Sequence, residues 1–123
     1  MKNILIVDSD VGFIFWLGAA LSDAGYQPWP ACNSSDAISV AGRKALARLD
    51  MLIVNASLPG VTKLIAHFHQ TQLHLKVMAL GPQDEGLNGV DAWHPAPRFS
   101  DDSAKREWVR AVKNMCGRQN RAA

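Results

Sequence analysis

Asp8, Ser9 and Asp10 follow directly on the apolar run Asn3-Ile-Leu-Ile-Val7. Two carboxylates gathered at the end of a strand are the kind of donor set that takes a divalent cation. Asn55 closes a second run, Met51-Leu-Ile-Val54, and Gly81 closes a third, Leu75-Lys-Val-Met-Ala-Leu80. An Asn amide donates and accepts hydrogen bonds, but it is neutral and cannot attack as an anionic nucleophile. Asp8 and Asp10 therefore read first as a solvated polar cluster at strand ends, with a weak residual ion site as the sharper alternative. His67 and His69 stand two apart on a helix and face different ways. His74 and His94 lie far along the chain, so a structural role is expected for all four histidines. No general base adjoins Ser9 or Ser57 in sequence, and Cys32 and Cys116 form neither a CxxC pair nor a zinc spacing.

Short continuous apolar runs suit strands covered on both faces, as in a parallel sheet. Besides the three already named, Tyr26 to Pro30 reads as a strand at an edge, because Pro28 and Pro30 cannot donate to a ladder. Val90 to His94 is a weaker fifth strand, stopped by Pro95. Helices are expected over Val11–Ala24, Ser35–Leu49 with caps available from Asn33 to Ser35, and Thr62–Gln72. A last helix should follow the cap Ser100 and end at Gly117, with an apolar stripe of Trp108, Val112 and Met115. Strand and helix alternate, which implies a parallel sheet with helices on both faces and a site at the carboxyl ends of its strands. Asp8, Ser9, Asp10, Asn55, Gly81 and the segment His94 to Pro97 are the residues such a fold would gather there.

At 123 residues and 48% apolar content the chain is one domain, long enough to hold a core without a disulfide or a metal. Its net charge of +2 is too small to argue for nucleic acid. No uncharged stretch is longer than that from Val11 to Ser22, which is too short to cross a bilayer. Asp8 and Asp10 also interrupt any leader-like opening. A cytoplasmic protein is expected, with residues 1–117 as the domain and 118–123 as a loose tail.

The strand ending in Asp8-Ser9-Asp10, the segment Asp50-Met-Leu-Ile-Val-Asn-Ala-Ser-Leu-Pro-Gly60, the pair Gly25-Tyr26 and the run Gly89-Val-Asp-Ala-Trp-His-Pro-Ala-Pro97 occur in order at nearly one family's spacing. Together they resemble the receiver (CheY-like) domain of bacterial two-component response regulators, from Met1 to about Met115. The resemblance implies a flavodoxin-like, doubly wound, five-stranded parallel sheet in the order 2-1-3-4-5. Ala96 stands only 15 positions after Gly81, so the family's fourth helix is expected to be shortened or absent.

The same resemblance marks the site as degenerate. Ser9 fills the second acidic place, Asn55 the place of the phosphoacceptor Asp, Gly81 that of the hydroxyl residue, and Ala96 that of the phosphoryl-binding Lys. No acyl phosphate can form on an amide. With two carboxylates and the cation gone, magnesium binding should be weak or absent and no other cofactor is implied. Pro97 is retained, and the resemblance implies a cis Ala96–Pro97 bond. Trp93 holds the place of the switch aromatic, and beside Gly81 it is expected to turn inward and fill the vacated space.

The uncharged first helix adds a surface question. Ile14, Leu17, Gly18, Leu21 and Ala24 share one face at 100° per residue, leaving Phe15 and Trp16 on its two flanks. Either both aromatics fold over neighbouring helices or they form an apolar patch for a partner; the patch is slightly favoured. The resulting expectation is a non-enzymatic, unphosphorylated receiver-like module of phosphorelay signalling that works through a protein partner, a homodimer being one form. Membrane and nucleic-acid partners are not expected, and the basic face of the last helix reads as solvated. The alternative is a small-ligand or nucleotide-binding protein or enzyme on the same scaffold, disfavoured because no glycine-rich loop follows the first strand.

Overall fold

A computed structural model describes residues 1–43, 48–72, 74–84, 86–95 and 102–116. Its strands are β1 (Asn3–Val7), β2 (Gln27–Ala31), β3 (Met51–Asn55), β4 (Lys76–Leu80) and β5 (Ala92–His94). Its helices are α1 (Val11–Asp23), α2 (Ser34–Ala41), α3 (Val61–Thr71) and α4 (Asp102–Cys116). The five strands form one parallel sheet in the order β2-β1-β3-β4-β5.

Strand side chains alternate between faces, and both faces are covered, which is why the runs are apolar throughout. Ile4, Ile6, Met51, Ile53, Met78 and Leu80 pack beneath α1 and α4 with Phe13, Leu17 and Trp108. Leu5, Val7, Leu52, Val54, Val77 and Ala79 form the opposite core with Leu64, Ile65 and Phe68 of α3. β2 is an edge strand, as its two prolines require.

Helix boundaries follow local chemistry. The Asp10 carboxylate accepts from the Phe13 amide at 3.1 Å and caps α1, and Asn33 Oδ1 accepts from the Asp36 amide at 2.8 Å and caps α2. α2 ends at Ala41, well short of the expected Leu49, because Gly42 supplies its C-cap. An internal glycine weakens a helix by about 1 kcal/mol relative to alanine. Leu49 has left the helix; its amide donates to Gln72 Oε1 at 3.1 Å. In α4 the buried stripe is Trp108, Val112 and Cys116, with Met115 only half-buried. Ser100 and Gly117, the expected ends of that helix, and the tail 118–123 lie outside the described residues.

Among the described residues no helix joins β4 to β5. The connection is held instead by hydrogen bonds. Asp91 exchanges two 2.8 Å bonds with the Val77 backbone, its amide donating to the carbonyl and its carboxylate accepting from the amide. His69 Nε2 lies 2.9 Å from the Gly89 carbonyl oxygen, and this close approach, with φ at +84°, leaves no room for a Cβ at residue 89.

Candidate functional site

The carboxyl ends of β1, β3 and β4 bring together the Asp8–Asp10 turn, Asn55 with Ser57, and Gly81. Asp8 is 3% exposed and is the one buried charged side chain among the described residues. One of its oxygens accepts from the Asp10 amide at 3.0 Å, and Asn55 Nδ2 approaches both oxygens at 3.4 Å. The other end of the Asn55 amide is also engaged: Oδ1 accepts from the Ser57 amide at 2.9 Å and from its hydroxyl at 2.7 Å. These bonds fix the amide with its NH2 toward Asp8, so a neutral side-chain donor adds to the Asp10 amide in compensating a buried carboxylate.

Asp8 and Asp10 do not converge on one point. Asp10 is exposed and directs its carboxylate to the Phe13 amide of α1, while Ser9 is exposed. Among the described residues no group of three or more His, Cys, Asp or Glu could hold a metal ion. The cation that a receiver site would require does not fit the side chains present: one carboxylate faces the pocket, with an amide NH2 already against it. The sequence left the cap role of Asp10 unread, although an Asp directly before an apolar helix is a recognisable N-cap signal.

Gly81 adopts φ +125°, and a Cβ built there would meet nothing within 4 Å. The space beside it remains an open cleft of about 460 Å³, bordered by Pro82, Trp93 and His94. Trp93 borders this cleft; its indole is half-buried and packs against the α3-side core, with Ala79 beside Trp93 in the β4–β5 pairing. His94 stacks on Trp108 with ring centres 4.0 Å apart and 20° between planes, a contact the sequence did not announce. Ala96, Pro97 and the expected cis bond between them lie outside the described residues.

The two aromatics of α1 part company. Phe15 is 64% exposed, and Val11, one turn earlier, is 47% exposed. With Ala19 they form an apolar ridge beside a groove of about 350 Å³ that Gly18, Pro28 and Pro30 help to line. Trp16 is half-buried, packed against the α1–α4 core and stacked on Phe13 at 6.4 Å, so the exposed patch excludes it in part. The reason is Phe13, which is fully buried and meets Trp108 at 5.7 Å, widening the buried face of α1 toward α4.

No protein-family model matches the chain, and no curated protein matches it. Solved structures do. The chemotaxis response regulator CheY4 of Vibrio cholerae is 20% identical, with 93% of this chain and 98% of that one covered at a TM-score of 0.75. A CheY-like response regulator receiver domain protein from Methanospirillum hungatei is 20% identical, with 93% and 92% covered at 0.75. The response regulator TrrA from Thermotoga maritima, solved in complex with Mg(2+)-BeF, is 21% identical, with 93% and 98% covered at 0.67. The strand order agrees with this likeness, and the chain has the fold of the CheY-like receiver domain of response regulators.

Proposed function

We propose that this chain is an atypical receiver module of two-component signalling, not phosphorylated, that works by binding a protein partner. Asn55 stands at the end of β3, and its clamped amide carries the reading: the amide is no nucleophile, and its NH2 covers Asp8 where a receiver's cation would act. Under this reading Ser9, Gly81 and Ala96 are the further lost positions, magnesium binds weakly or not at all, and no catalysis is performed. Residues 1–117 form the domain, 118–123 a tail, and the cytoplasm is its compartment. No helix among the described residues is long and apolar enough to cross a membrane. A nucleotide-binding role on the same scaffold has little support, since the α1 N-terminus is already capped by the Asp10 carboxylate, which would repel a phosphate.

The Val11–Phe15–Ala19 ridge of α1 is the contact surface this reading favours, for a partner or for a second copy. Incubation with acetyl phosphate and magnesium, followed by intact-mass measurement, should show no added phosphoryl group. A stoichiometric gain that disappears in Asn55→Ala would overturn the reading.

A further inference from the structure

The flank of α1 opposite Phe15 carries a second groove, formed with α4 and about 440 Å³ in volume. Its floor is small and apolar: Ala20 is buried, and Ala24 and Val109 are half-buried. Its rim is basic, from Lys105, Arg106, Arg110 and Lys113. Lys105 is engaged by Asp23 across the groove at 3.4 Å. Among the described residues Arg106, Arg110 and Lys113 have no ion-pair partner. The rim carries four cations and one acid, a surplus of three charges, whereas the whole chain has a surplus of two. Four of the chain's thirteen basic residues thus border this one groove.

We propose that this groove docks an acidic amphipathic helix of a protein partner. Arg106, Arg110 and Lys113 are spaced by four and then three residues, so they form one stripe over about 10 Å of α4. Acids placed at the same spacing on a partner helix meet that stripe, while the partner's apolar side chains enter between Ala20, Ala24 and Val109. The small floor residues allow close approach of a second helix, and desolvation of the floor strengthens the ion pairs at the rim. A nucleic acid fits less well, because the groove offers no aromatic surface for base stacking and Asp23 opposes phosphate. The proposal is independent of the phosphorylation reading and of the Phe15 ridge on the other flank of α1.

The test uses the full chain and a fluorescein-labelled synthetic helix with a leucine stripe and glutamates at the four-and-three spacing. Anisotropy should show saturable binding that weakens with salt and weakens about tenfold in Arg106→Glu/Arg110→Glu. Amide shifts in NMR should concentrate on Ala20, Ala24 and Val109. Val109→Trp, which fills the floor while keeping every charge, should also prevent binding, with circular dichroism confirming that both variants fold. Binding unchanged in either variant, absence of saturable binding, shifts centred on Phe15, or equal affinity for a 20-nucleotide single-stranded DNA at the same residues would each overturn the proposal.

Discussion

Replacing Asn55 by Asp tests whether the amide is what makes the Asp8 pocket self-sufficient. The substitution is nearly isosteric, so packing around β3 should survive. What changes is the atom facing Asp8: a donor 3.4 Å from each carboxylate oxygen becomes a second anionic oxygen. Two unit charges at that separation repel by about 5 kcal/mol at an effective dielectric of 20 and by about 1 kcal/mol in bulk water. Asp8 is buried but Asn55 only half so, which places the expected loss between these limits, at about 2–3 kcal/mol at pH 7. In a domain of this length that is a fall in Tm on the order of 10 °C.

The pH dependence distinguishes repulsion from a packing defect. Like charges raise the proton affinity of the folded pair, so between about pH 4 and pH 7 the folded variant holds a proton that the unfolded chain has released. Stability of the variant relative to the parent therefore falls as pH rises through that window. At pH 4 the protonated Asp can donate to Asp8 much as the amide does, and the deficit should nearly close. Urea unfolding of parent and variant at pH 4, 5.5 and 7 measures this, and millimolar magnesium at pH 7 should restore part of the loss in the variant alone. A variant as stable as the parent at pH 7, or a deficit that does not change with pH, would refute the electrostatic argument.

Other outcomes follow from neighbouring features. Gly81→Thr, which places a hydroxyl at the end of β4, should destabilise by about 1–3 kcal/mol in urea unfolding, because a β-branched residue is strained at φ +125°. Phe15→Glu should leave stability within about 0.5 kcal/mol while removing self-association or partner capture through that ridge, whereas Trp16→Glu should destabilise by about 1–3 kcal/mol. Burial pushes the Cys116 thiol above its ordinary 9.0, and burial together with Cys116 raises the Tyr26 phenol above 10.0. Both groups hold protons in the fold that the unfolded chain loses, so stability should decline as pH rises above about 9, and Cys116→Ala should remove the earlier part of that decline in alkaline urea titrations.

The sheet was legible because two-sided burial writes strands as unbroken apolar runs, and β2 was legible as an edge because Pro28 and Pro30 exclude it from the centre. The strand order came from the resemblance, since periodicity does not determine neighbours. Helix limits were less legible: α2 stops at Gly42, where the pattern of apolar residues continues but the backbone preference changes. The face of α1 was misjudged on one side, because the burial of Phe13 depends on Trp108, ninety-five positions away. Around the candidate site, residue types were readable and orientations were not. Which way the Asn55 amide turns depends on Ser57 beside it and Asp8 across the sheet, and the positive φ of Gly81 belongs to a loop whose geometry no local pattern encodes.

Under the reading proposed for this chain, retention of the fold alongside departures at the site has a physical basis in where the energy lies. The two cores are built from side chains along the strands and the inner faces of the helices, and among the described site residues only Asp8 is buried. Ser9 and Asp10 are exposed, and Gly81 faces open space, so changes there remove little buried apolar surface. Asp8 is the exception, because a buried carboxylate without a partner is costly. Any sequence that keeps Asp8 must supply it with donors, and Asn55 with the Asp10 amide does so without an ion. The Asp8 carboxylate is thereby supplied with donors by the chain itself. Under the reading proposed for this chain, recognition then falls to surfaces that are always present, the apolar ridge and the basic groove on the two flanks of α1.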